Sequence, residues 1–522
     1  MTTDDVTTRP VLIQGGMGVG VSSWQLANAV ARAGQLGVVS GTALDASVAR
    51  RLQDGDPGGY LRRALAHFPL PALAERVVAK YHRPQGRHGA PYLPVPRLAI
   101  HSGPNGTART HSERHSDELG VVANFVEVWL AKYGHHPIPE DPRRDLLGPD
   151  AAASGLVGVN YLEKLQMATP AAAYGAVLGG VDYVLMGAGI PRELPRLLTE
   201  LAAGRPGTIH VDVAGGSAMP QTLDPTSLPA EGELLPATRR PRFLAIVSSH
   251  VLAQFLARDP ATIPDGFVVE GPTAGGHSAP PRGQMELDDH GQPVYGPRDE
   301  ANLAMLAKIG LPFWLAGGYG EPEKVAEALA AGAAGVQVGT LFALARESGL
   351  DDDLRGTLLT RLRDESLVVL NSAGASPTGF PFKVAQLPGT LADPEVYAAR
   401  PRLCDLGYLR TPYVRGESAI GYRCPAEPLD VFARKGGDAA GAQGSNCLCN
   451  ALMADVGLAQ DRKDGYTEAP LVTLGSDLTG ARRLDREYLA RHDGHRPGGW
   501  SAAEAVQWLL GDRGPSVEPT GN

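Results

Sequence analysis

Cysteine is nearly absent: four residues in a chain of 522. So few cannot staple a domain of this length, so a disulfide scaffold is excluded. An excess of positive charge is lacking too. Lys and Arg number 48 against 57 Asp and Glu, a net charge of -9. Nucleic acid is therefore excluded as the main partner, because gripping phosphates calls for concentrated Lys and Arg. Long apolar runs are also missing. The longest weakly polar stretch, 328–345, contains three glycines and Gln337 and reads as helix, turn and strand rather than a membrane span. No basic run followed by an apolar stretch opens the chain, so no secretion signal is read. The expectation is a cytoplasmic protein without membrane association.

What remains is ordinary folding material, 43% hydrophobic and 20% charged, in a chain longer than one core usually supports. Its organisation shows first in residues 10–45. Val11-Leu12-Ile13-Gln14 reads as a short apolar strand and Gly15 to Gly20 as a turn. Ser22 or Ser23 can cap a helix through Leu26, Ala27 and Val30, Gly34 can stop it, and Leu36 to Val39 forms the next strand. Apolar strands joined through a helix pair in parallel and are covered on their faces.

The same alternation resumes after residue 150. Strands are expected at 156–160, 182–186, 243–247, 267–270, 312–316 and 335–338, and with the first two they number eight. Thr208 to Val213 is assigned to an inserted hairpin, because Pro, Thr and Gly dominate the connection that follows. Eight parallel strands with intervening helices predict an α/β fold, a (β/α)8 TIM barrel whose ligand loops lie at the C-terminal strand ends. An open doubly wound sheet is the structural alternative. The expected division is a barrel over 1–386, a large insertion after strand 2 at about 45–150, and a C-terminal extension over 387–522. The insertion, helical around 60–82 and 116–132, is expected over the barrel mouth. His101, His111 and His115 are expected on a solvated surface.

Three glycine-rich strand ends carry the chemistry. Ala274-Gly275-Gly276-His277 follows the strand at 267–270, Ala316-Gly317-Gly318-Tyr319-Gly320 follows the next, and Gly339-Thr340 ends the last. Adjacent glycines let backbone approach a flat ligand, and the last two strand ends are where barrels most often hold a phosphate. His277 has no second histidine or carboxylate at ligand spacing, so an acid–base role fits better than a metal role. Gly15-Gly16-Met17-Gly18 is not a dinucleotide fingerprint, since Val21 stands where Gly or Ala is needed and no acidic residue ends the next strand.

Taken in order, Val11 to Gly18, Gly158-Val159-Asn160, Glu270 to His277, Leu315 to Gly320 and Val336 to Thr340 resemble the nitronate monooxygenases, also called 2-nitropropane dioxygenases, over about residues 10–385. The resemblance implies an FMN-dependent barrel. It places the flavin on Gly16, Met17 and Gly18, approached by Asn160 and flanked by Gly275 and Gly276, with its phosphate at Gly317, Gly318, Gly339 and Thr340. His277 falls on the family's catalytic histidine. The implied reaction takes an alkyl nitronate and O2 to a carbonyl compound and nitrite. Trans-acting enoyl reductases of polyketide and polyunsaturated fatty acid synthases resemble the same barrel, and they would use NADPH to reduce FMN. A third reading is a catalytically idle flavin- or metal-binding module that serves a partner. Barrels of this kind often pair, so a homo-oligomer is allowed for.

All four cysteines, Cys404, Cys424, Cys447 and Cys449, fall in the extension, spaced C-x19-C-x22-C-x-C. The spacing matches neither a zinc ribbon nor a ferredoxin. Their clustering makes them candidate ligands of a metal or iron–sulfur site. Four reduced, buried thiols, or a disulfide pair, are the alternatives.

Overall fold

The computed structural model describes residues 9–101, 109–134, 155–416, 419–492 and 498–511. Ten strands precede residue 340: β1 (Leu12–Gln14), β2 (Leu36–Ser40), β3 (Leu156–Leu162), β4 (Tyr183–Gly187), β5 (Gly207–Val211), β6 (Met219–Leu223), β7 (Arg242–Val247), β8 (Gly266–Glu270), β9 (Phe313–Ala316) and β10 (Gly335–Val338). Eight of them close a barrel in the order β1-β10-β9-β8-β7-β4-β3-β2, parallel at every pairing. The protein is a (β/α)8 TIM barrel, and the eight strands are those expected. The two strands outside the ring, β5 and β6, pair antiparallel as the inserted hairpin.

The strands close because both faces are apolar. Ile13, Leu36, Val38, Leu185, Leu244, Val268 and Trp314 fill the barrel interior, while alternate residues such as Leu12, Val39, Val184 and Phe243 face the helices. The first unit forms as its sequence directs. Ser23 caps the helix Trp24–Arg32 by accepting from the Leu26 N–H at 3.3 Å, and Gly34 turns away with φ +78°.

The stretch between β2 and β3 differs from expectation. Its longest helix, His111–Tyr133, packs between the helices Trp24–Arg32 and Thr169–Leu178. It thus occupies the barrel flank, where a β2-to-β3 helix belongs, and not the mouth. His101 and His115 are buried rather than solvated. His115 Nε2 is 3.1 Å from the Tyr81 hydroxyl, and His101 Nε2 lies 3.2 Å from Asp117. The polar loop was misleading because a helix with a Thr110–Glu113 capping box begins inside it.

Beyond β10 come two more hairpins, β11 (Val369–Ser372) with β12 (Phe382–Ala385) and β13 (Thr411–Arg415) with β14 (Ala419–Arg423). The chain then folds back onto the barrel. The helix Ala502–Leu510 packs against Trp24–Arg32 and Pro322–Ala330, closing the helical ring between first and last strand. Among the described residues no helix is long and apolar enough to cross a membrane.

Candidate functional site

At the C-terminal ends of the barrel strands lies a cavity of about 240 Å³. Gly16, Met17, Gly18, Asn160, Gly275, Gly276, His277, Gly317, Gly318, Gly339 and Thr340 all line it. Motifs separated by as many as 324 residues along the chain therefore meet in one place. No described residue of 45–150 reaches the cavity.

Close approach explains the glycines. A side chain at Gly16 would put its Cβ 2.2 Å from the Asn160 Cβ, so backbone and amide can share this wall only without one. Gly317 and Gly318 have φ of +85° and +81°, a left-handed pair that only glycine adopts readily. Two amide oxygens on the cavity wall, Asn160 Oδ1 and Gln337 Oε1, are buried without a partner. Orphaned polar atoms of this kind are costly unless a ligand engages them.

His277 is held from two sides. Its loop pairs with β12: the Ser278 N–H donates to Pro381 O at 2.9 Å, and the Lys383 N–H to Gly276 O at 3.0 Å. The imidazole meets the Phe382 ring edge-on at 4.8 Å. Its Nε2 lies 2.7 Å from Ser376 Oγ, which is 2.8 Å from Thr378 Oγ1. Burial lowers the imidazole pKa to about 4. The ring is accordingly neutral at physiological pH.

Beneath that loop lies a buried pair. Lys383, 1% exposed, donates from Nζ to Pro272 O at 2.6 Å and to Ser278 Oγ at 2.9 Å, bracketing the Gly-Gly-His turn. Burial lowers its pKa to about 8, against the opposing pull of Glu270. Glu270, which ends β8 and lines the cavity, is pushed up by burial to about 7, with Lys383 working the other way.

The far wall was missed in the sequence. Leu452, Thr473, Leu474, Gly475, Asp477 and Gly480, all from the C-terminal extension, line the same cavity. The Gly276 N–H donates to Thr473 Oγ1 at 2.9 Å, the Gly475 N–H to Thr340 Oγ1 at 3.0 Å, and the Ser476 N–H to Thr273 O at 3.0 Å. A signal was present. Leu471-Val472-Thr473-Leu474-Gly475-Ser476 is an apolar pair followed by hydroxyls and glycine, the composition of a strand end.

The four cysteines lie elsewhere. They gather with Ala426 in one small apolar cluster as free thiols. The metal or iron–sulfur site expected at Cys404, Cys424, Cys447 and Cys449 is corrected here. Among the described residues no group of three or more His, Cys, Asp or Glu is arranged to hold a metal ion. Burial raises Cys404 to about 11 and Cys424 further still. Only Cys447 is lowered, to about 7, by the hydrogen bond from the Cys449 thiol.

Residues 244–379, from β7 through the segment carrying Ser376 and Thr378, match the nitronate monooxygenase family. The match supports a flavin-dependent oxidoreductase, and the matched segment contains His277 and the last three barrel strands. The resemblance read from the ordered motifs is to this same family. No curated protein matches. Among solved structures, FabK from Thermotoga maritima is 15% identical, with 97% of this chain and 94% of that one covered at a TM-score of 0.44. A nitroalkane oxidase from Streptomyces ansochromogenes is 17% identical, with 97% and 95% covered and a TM-score of 0.39. The enoyl reductase domain of MlnA from the macrolactin biosynthesis cluster of Bacillus amyloliquefaciens is 14% identical over 46% of this chain and 52% of that one, at 0.28. Likenesses this distant bear on neither activity nor substrate.

Proposed function

We propose that the cavity binds FMN and that the protein oxidises alkyl nitronates with O2 to a carbonyl compound and nitrite. The observation that carries this reading is the convergence on one cavity of a neutral histidine, a glycine-rich cradle and two orphaned amide oxygens. These features suit a flat, polar-edged group. Gly16 lets Asn160 pack directly on the backbone of this wall, and the Asn160 and Gln337 oxygens would accept from donors on the edge of the ring. The phosphate would lie against the backbone at Gly317–Gly318 and at Gly339, where the short helix Thr340–Ala343 starts. Thr340 Oγ1 already accepts from Gly475, so its own proton is free to donate there.

FMN, when bound, supplies the electron transfer and the reaction with dioxygen. The rest falls to side chains. His277, neutral above pH 4, takes the α-proton from a nitroalkane at an imidazole nitrogen, or hydrogen-bonds a nitronate delivered as the anion. Ser376 and Phe382 fix the ring, so little reorganisation is needed as the proton moves. Lys383 holds the loop carrying the histidine through Pro272 and Ser278. Leu452, Phe382 and Ile246 give the substrate an apolar wall, which suits an alkyl chain.

The test is an anaerobic titration of the purified protein, following the flavin absorption band. Propyl-2-nitronate is expected to bleach the band in the wild type and to fail in His277→Ala. Bleaching by NADPH with no response to nitronate would overturn the proposal in favour of a reductase. A protein that takes up no flavin would overturn it altogether.

A further inference from the structure

The other end of the barrel holds a second cavity, and what lines it bears on a ligand other than the flavin. It lies at the N-terminal ends of β4, β7 and β9, shares no residue with the first cavity, and has a volume of about 460 Å³. That is within the roughly 300–1,000 Å³ usual for small-molecule sites. Its floor is made by Tyr183, Leu244 and Trp314 of the barrel interior.

The lining is basic in an acidic protein. Four arginines, Arg9, Arg196, Arg240 and Arg242, face two carboxylates, Glu200 and Asp265, whereas the chain as a whole carries a net charge of -9. Both carboxylates are already engaged. Asp265 accepts from Arg240 Nη1 at 2.8 Å and from the Phe243 N–H at 2.7 Å. Glu200 accepts from Arg205, which is outside the cavity, at 2.6 Å. Arg242 donates to the Tyr183 hydroxyl at 3.2 Å. Among the described residues neither Arg9 nor Arg196 forms a hydrogen bond or an ion pair.

The bottom of a barrel ordinarily serves stability, and the Arg240–Asp265 pair fits that role. Arg9 and Arg196 do not. A guanidinium without a partner adds nothing to the fold, and several gathered around one hollow repel one another. An anion with charge to spread among them would relieve that cost, and the planar fork of each guanidinium matches a pair of phosphate oxygens. Beside the charges stand Pro195, Ile263 and Pro312, apolar surface against which an organic part can lie.

We propose that this cavity is a second ligand site, for a small molecule that joins two or more phosphates to a less polar body, the chemistry of a nucleoside di- or triphosphate. Arg9, ahead of β1, and Arg196, on the helix Leu194–Ala202, hold the phosphates from two separate elements. The body rests on Pro195, Ile263 and Pro312. The proposal is independent of the flavin reading, because the two cavities occupy opposite ends of the barrel.

The test is calorimetric titration of the full-length protein at low ionic strength, with FMN present to fill the first cavity. The titrants are ATP, inorganic pyrophosphate and adenosine. ATP is expected to bind more tightly than either of the others, and less tightly as salt is raised. Arg9→Gln and Arg196→Gln should each weaken ATP by about tenfold, the scale of one hydrogen bond to a charged group. The thermal midpoint of each variant confirms that it is folded. No binding of ATP overturns the proposal, as does pyrophosphate or adenosine bound as tightly as ATP. Equally decisive against it is an ATP affinity unchanged in both folded variants, which would place the nucleotide elsewhere on the protein.

Discussion

The barrel and the C-terminal extension contribute to one cavity in different ways. From the barrel come strand ends, each with its motif inside a few consecutive residues: Gly15 to Gly18, Gly275 to His277, Gly317 to Gly320, Gly339-Thr340. The extension brings a strap whose role depends on where the chain returns after residue 387, which no local pattern encodes. Barrel motifs are adjacent to the strands that position them. Thr473, Gly475 and Asp477 are positioned instead by hydrogen bonds to Gly276, Thr340 and Thr479. A cavity can therefore look complete in sequence while one of its walls is missing.

The largest expected effect lies on the barrel side. His277→Ala should lower kcat/KM for a neutral nitroalkane by about 10²–10⁴-fold, the usual contribution of a positioned acid–base group, while flavin binding persists. Steady-state kinetics with the flavin content measured in parallel checks this. Gly480→Ala comes next and probes the seam between barrel and extension. The added Cβ would fall 1.9 Å from Gly320 O, and relieving that overlap should cost about 1–3 kcal/mol of stability, read by denaturant unfolding. The same variant should weaken FMN binding, although Gly480 lies about 100 residues past the end of the matched family segment. A change in stability with no change in flavin affinity would show the extension to be packing alone.

A pH experiment sharpens the comparison from the histidine. Its folded-state pKa, about 4, lies below the ordinary 6.5 because burial penalises the charged ring. The stability held by the neutral ring is complete above pH 6.5 and is lost as pH falls through about 4. Imidazole NMR of the flavin-free protein should give a midpoint near 4 for His277, and a midpoint near 6.5 would mean an open, hydrated loop. The smallest effect is expected for Thr473→Val, which removes the acceptor of the Gly276 N–H. About 1 kcal/mol of stability should go, with a modest loss of flavin affinity, measured by unfolding and fluorescence quenching.

Much of the fold was legible because apolar strands and capped helices follow local rules. All eight barrel strands and the inserted hairpin lie where alternation and turn residues put them. The cavity lining was legible wherever a glycine pair met a strand end. The remainder was not, for physical reasons. The helix His111–Tyr133 hides its barrel face behind a polar start at the Thr110 cap, so it read as covering the mouth. Lys383 and Ser376 carry no motif, and their meaning comes from β12 pairing beside His277. The cysteines did converge, packed on Ala426, but among the described residues no group there is arranged to hold a metal ion.

The central claim is that barrel and extension build one flavin site between them. Hydrogen exchange on the full-length protein with and without FMN tests it most directly. Binding is expected to slow exchange both in 274–278 and 317–320 of the barrel and in 472–478 of the extension. Protection confined to the barrel turns, with 472–478 unchanged at saturating FMN, would contradict the account.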